Sequence, residues 1–171
     1  MPRSVASASR LGLLSLGLAV FAATLLSGCG WRLQGTSRLS PIMATTYVET
    51  DDRFTDFNRA LRESLQASGA RLTARPEDAT AVVRIIRDES GQRVLTVSAR
   101  NTPEEYEVFY VIEYSVNGRT DELIAPQKIE LTRDYSYDET TVLAKQREQA
   151  VLREALARDL AALVVRRLAS V

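Results

Sequence analysis

Histidine is absent from all 171 residues, cysteine and tryptophan occur once each, and lysine only twice, at Lys128 and Lys145. Without histidine the chain lacks the commonest general base and transition-metal ligand, and a Ser-His-Asp triad is excluded. One cysteine allows no internal disulfide and no cysteine-ligated metal. There is no glycine-rich phosphate loop of the Walker type. Charge of either sign is not in excess, with 22 basic and 22 acidic residues. That balance argues against a general nucleic-acid binder, which needs a net basic face. The acid pairs Glu104-Glu105 and Asp138-Glu139 fit solvated turns and helix starts better than the paired carboxylates of a hydrolase. A Ser/Lys pair stays open on composition, although neither lysine lies in a motif for it. By elimination, binding or scaffolding is favoured over catalysis.

The lone cysteine sits in "LLSGCGWRL", Leu25 to Leu33. Upstream, Leu11 to Leu26 is apolar or small, and the only charges before Cys29 are Arg3 and Arg10. A basic start and an apolar core shorter than the roughly 20 residues of a membrane span read as a secretory signal. Leu26-Ser27-Gly28-Cys29 then fits the lipobox of bacterial lipoprotein precursors. Small residues at Ser27 and Gly28 open the bond to the peptidase, and the Cys29 thiol accepts a thioether-linked lipid. The expected organisation is a cleaved signal over 1–28, a lipidated N-terminus and linker over 29–42, and one domain over 43–171. Cys29 would carry S-diacylglycerol and an N-acyl chain, and at about 0.8 kcal/mol per buried methylene several chains hold a protein firmly to a bilayer. Gly30, where aspartate would signal inner-membrane retention, favours the outer membrane. The mature 143 residues suffice for one core, and with 20 basic against 22 acidic residues they carry a charge of −2.

Periodicity predicts the elements. Met43 to Thr50 is β-branched and reads as a strand. Asp51 and Asp52 offer N-caps for a helix over Arg53 to Ser68, with Phe54, Phe57, Leu61 and Leu65 as its stripe and Gly69 as its stop. Ala79 to Asp88 and Arg93 to Ala99 read as strands separated by a turn at "DESGQ". In "YEVFYVIEYSV", Tyr106, Val108, Tyr110, Ile112, Tyr114 and Val116 alternate onto one face. Asn117-Gly118 suits a tight turn. The chain returns through "QKIELTRDYSY", where Ile129, Leu131 and Tyr135 share a face. From about Thr140 the period becomes 3.6, with Leu152, Leu156, Leu160, Leu163 and Leu168 in a stripe, a Glu154/Arg158 pair, and no Gly or Pro. The predicted fold is α+β, a two-layer sandwich with two helices on one face of a mostly antiparallel sheet of four to five strands.

"CGWRLQG" after the lipobox, the β-α-β-β-β-α order and "YSYDETTVLAKQREQAVLREAL" at the last helix resemble the LptE (RlpB) family of LPS-assembly lipoproteins. The resemblance implies a non-enzymatic component of the outer-membrane lipopolysaccharide translocon. Such a protein is a plug in the lumen of the LptD β-barrel, facing the periplasm, which assists assembly of that barrel and binds lipopolysaccharide. It also implies two lipopolysaccharide contacts, Lys145 in the Leu-Ala-Lys-x-x-Glu run and Arg100 in "ARNTPEEY". Read from the residues alone, an ordinary solvated cation is the alternative for each, and a stronger one for Arg100 than for Lys145. Arg84, Arg87 and Arg93 extend a basic region with Arg100 only if they share its surface. Tyr106, Tyr110 and Tyr114 are expected to pack under the helices. Trp31 suits a membrane interface or a barrel wall. A stand-alone envelope scaffold and a lipid-tethered hydrolase, the latter requiring gathered carboxylates or Lys128 beside a serine, remain the alternatives.

Overall fold

The computed structural model describes residues 39–136 and 142–171, apart from the side chains of 142–144. Cys29, Trp31, the signal and most of the linker lie outside the described residues. A 3-10 turn at Pro41–Met43 leads into β1 (Thr45–Glu49). Then come α1 (Asp56–Ala67), β2 (Arg71–Leu72), β3 (Ala81–Val97), β4 (Pro103–Asn117), β5 (Glu122–Ser136) and α2 (Val142–Leu168).

The sheet runs β2-β1-β3-β4-β5. β3, β4 and β5 form the expected antiparallel meander. β1, however, pairs parallel with both β2 and β3, so the sheet is mixed. The reason is α1. A helical crossover returns the chain to the end of the sheet from which it left, and neighbours joined that way run parallel. The two-residue β2 was not foreseen in the sequence.

α1 starts later than its charges suggest. The Asp52 Oδ1 atom accepts from the Phe54 amide at 2.8 Å, spending that carboxylate on a local turn. Thr55 caps instead, its hydroxyl accepting from the Asn58 amide at 3.1 Å. Phe54 is therefore outside the helix and 93% exposed, while Phe57, Ala60, Leu61 and Leu65 face the core. The C-terminus closes as Gly69 predicts. With φ at +94°, the Gly69 amide donates to Gln66 O and the Ala70 amide to Leu65 O, both at 3.0 Å.

No turn forms at "DESGQ". β3 runs through it as one strand of 17 residues, with a register shift between Ile85 and Arg87. Its turn-forming residues serve lateral packing. Asp88 is bonded to Thr55 and Tyr110. Gly91 lies under the Phe109 ring, where a Cβ would come within 2.6 Å of Phe109 Cζ. The reversal falls at Ser98–Thr102, where the Ser98 amide donates to Thr102 O at 2.8 Å and Asn101 takes φ of 61°. β5 begins at Glu122, before the expected Gln127, and passes through Pro126, which an edge strand tolerates because no neighbour needs its missing N–H.

Both helices contact each other, and α2 lies against β4 and β5. Val108, Tyr110, Ile112, Tyr114 and Val116 of β4 are buried beneath them, and Tyr106 is partly buried. From α2 come Leu156, Ala157, Leu160, Ala161, Val164, Val165 and Leu168, with Leu152 partly covered. Leu163 lies at the margin rather than in the stripe. At the surface, Arg133 of β5 meets Asp159 of α2 at 2.7 Å across the two layers, and Arg153 of α2 meets Asp56 of α1 at 2.9 Å within the helix layer.

Candidate functional site

Lys145 lies in the first turns of α2, with its side chain only 18% exposed. Its Nζ donates to Glu148 Oε2 at 2.8 Å and stands 5.9 Å from the centre of the Tyr135 ring. Tyr135 is itself fixed. Its hydroxyl bonds to Gln92 Oε1 at 2.9 Å, and its ring stacks on Tyr106 with centres 5.8 Å apart. Val94, Tyr106 and Tyr135 form one cross-strand row, so the tyrosine beside Lys145 is tied into three strands. A lysine held this way has lost much of the rotamer freedom that an exposed one would surrender on binding an anion.

Arg100 stands apart, on the exposed Ser98–Thr102 reversal. Its amide donates to Ser98 Oγ at 3.2 Å, and its guanidinium has no hydrogen bond or ion pair with a described residue. The reversal ends just before Pro103, the first residue of β4, three residues from Tyr106 or about 10 Å of strand. Lys145 and Arg100 thus occupy the same end of the sheet without touching. Glu104 and Glu105 flank the reversal, so Arg100 is not part of a purely basic loop.

Arg84, Arg87 and Arg93 do share a surface, and Arg100 is not on it. Cross-strand pairing puts them opposite Ser115, Glu113 and Glu107, on the sheet face away from the helices. Each is neutralised. Arg84 grips Glu49 through two bonds of 3.0 Å, Arg87 meets Glu89, and Arg93 meets Glu107 and, at 3.6 Å, Glu130. Bonds to Glu49 and Glu107 raise the guanidinium pKa values of Arg84 and Arg93, and the bond from Arg93 holds the Glu107 carboxyl below its usual range. Lys128 joins the network at 3.5 Å from Glu130, not beside a serine. The face is charged and compensated, with Arg93 also 5.4 Å over the Phe109 ring.

A second polar cluster, invisible in the sequence, lies between the layers. The Asp88 carboxylate accepts from Thr55 Oγ1 at 2.5 Å and from the Tyr110 hydroxyl at 2.8 Å, and that hydroxyl accepts from the Phe57 amide at 3.1 Å. Burial outweighs those bonds and raises the Asp88 pKa, and burial also raises that of Tyr110. A cleft of about 260 Å³ opens beside it, lined by Phe54, Thr55, Asp56, Asp88, Ser90 and Arg153. A larger cleft of about 570 Å³ gathers Glu49, Asp51 and Glu122, but Glu49 is already held by Arg84. Among the described residues no three His, Cys, Asp or Glu side chains are grouped to hold a metal.

Two helices covering one face of a mixed five-stranded sheet make an α+β two-layer domain. Solved structures share that fold. The rare lipoprotein B from Shewanella oneidensis is 28% identical with a TM-score of 0.65, over 74% of this chain and 94% of that one. Lipoprotein B from Nitrosomonas europaea, at 22% identity, superposes with a TM-score of 0.69 over 83% and 92% of the two chains. The LPS-assembly lipoprotein LptE of Yersinia enterocolitica is 29% identical over 161 residues, 93% of this chain and 75% of that protein. LptE of Pectobacterium atrosepticum is 26% identical over 166 residues, 95% and 86% of the two. The family model for LptE, lipopolysaccharide-assembly, matches residues 43–168. The chain belongs to the LptE family, whose role in lipopolysaccharide assembly at the cell envelope is non-enzymatic. No helix among the described residues is long and apolar enough to cross a membrane.

Proposed function

We propose that this chain is a plug and assembly partner of the LptD β-barrel that binds lipopolysaccharide on its way to the cell surface. Residues 1–28 are the cleaved signal, Cys29 carries the lipids that tether the protein to the outer membrane, and residues 43–171 act from the periplasmic side within the barrel lumen. Lys145 and Arg100 contact the phosphates of lipid A. The observation that carries the reading is Lys145, presented on the Tyr135 ring at the end of the sheet where Arg100 also lies. The compensated outer sheet face supports it, because a barrel lumen is polar and wet and suits paired charges better than an apolar patch. Purification of the full chain from outer membranes in mild detergent tests it. A large barrel should co-elute in equimolar amount; elution as a monomer would instead favour a stand-alone envelope scaffold.

A further inference from the structure

The two members of the Lys145 ion pair are not equally open. Lys145 is 18% exposed, and Glu148, one helical turn on, is 44% exposed. An anion approaching from solvent therefore meets the carboxylate before the ammonium. The Glu148 Oε2 atom, 2.8 Å from Nζ, already occupies a position that a phosphate oxygen would take. An ammonium offers three donors; Glu148 holds one, and the Tyr135 ring centre lies 5.9 Å from the nitrogen. A phosphate reaching Lys145 in this geometry has to displace the carboxylate or tolerate its repulsion. An i,i+3 pair on a helix surface is weak enough to be displaced.

We propose that Glu148 is a resident competitor for Lys145, so that a phosphorylated amphiphile binds by taking over the bond that the Glu148 carboxylate holds in the free protein. The proposal rests on Lys145 being a phosphate contact and adds the residue that sets its affinity. It makes Glu148 a specificity determinant: singly charged or neutral headgroups fail to displace it, whereas a phosphate monoester with higher charge and three acceptor oxygens succeeds.

The test titrates the detergent-solubilised full chain with bisphosphorylated lipid A and with its dephosphorylated counterpart. Glu148→Gln keeps the shape and an acceptor but removes the charge, and Glu148→Ala removes both. Each should bind the phosphorylated probe about two- to fivefold more tightly, the factor expected from releasing a surface ion pair, with the dephosphorylated probe unaffected. The gain should vanish in a Lys145→Ala background and shrink at high salt. Equal or weaker binding by both Glu148 variants, with binding still lost in Lys145→Ala and melting unchanged, would overturn the proposal and leave Glu148 as a prop for the lysine. Equal binding by wild type and Lys145→Ala would overturn the Lys145 reading itself, and the competitor with it.

Discussion

Asp88 shows how one side chain serves two layers. It stands on β3, but its two oxygens take the cap residue of α1 and the hydroxyl of Tyr110, which in turn receives the first-turn amide of Phe57. A helix start, a strand and a core tyrosine are thereby fixed by one carboxylate, whose pKa burial holds above its ordinary value of 3.8. The native state consequently keeps the Asp88 proton over a range where the unfolded chain has lost it. Stability from this group is therefore greatest at low pH and falls as pH rises from 3.8 through the native pKa. Glu107, held below its usual range by Arg93, has the opposite slope, losing stability as pH falls. Thermal melting of wild type and Asp88→Asn across the acid range separates the two. The variant should lack the component that declines with rising pH, and parallel profiles would show that Asp88 does not titrate in the fold.

At the scale of elements, Gly69 has one measurable function. Its φ of +94° is open to glycine and strained for other residues, and the space around its Cβ position is empty. Gly69→Ala should therefore destabilise by about 1 kcal/mol through backbone strain alone, without steric repacking. Equal melting temperatures for variant and wild type would refute that. Gly69 was legible in the sequence because a helix stop is a local event. So were the β4 alternation and the leucine stripe of α2, each repeated over enough residues to outweigh a single exception. The helix start was misplaced because Asp51, Asp52 and Thr55 are all competent caps, and the choice depends on Asp88, 33 residues away. The turn expected at "DESGQ" failed for the same reason. Asp88 and Gly91 look like turn residues until Thr55, Tyr110 and Phe109 are brought beside them. Of the candidate site, Lys145 and Arg100 are singled out only by family resemblance. The Tyr135 shelf, and the pairing that neutralises Arg84, Arg87 and Arg93, depend on strand register that no local pattern encodes.

Across the whole molecule, cover is uneven along the sheet. The helices bury β4 from Val108 to Val116, whereas β3 from Gln92 to Val97 and the reversal beyond it are largely exposed. Val94, Leu95 and Val97 are 46–52% exposed, and register shifts interrupt the ladder at Val94/Thr96 and again at Thr96/Val97. β1 pairs β3 only as far as Arg84, so the outer part of β3 has a ladder on one side alone. Few buried apolar contacts and an interrupted ladder lower the free energy of local opening, whereas opening the β4 centre requires parting both layers. The molecule should behave as a firm two-layer body carrying a softer hairpin end. Arg100 belongs to the soft part, and Lys145, resting on Tyr135, to its boundary with the firm part. Hydrogen exchange of the full chain checks the gradient directly. Amides from Arg93 to Glu105 should exchange well before those from Val108 to Val116, and uniform protection along β4 would show that the hairpin opens only with the whole fold.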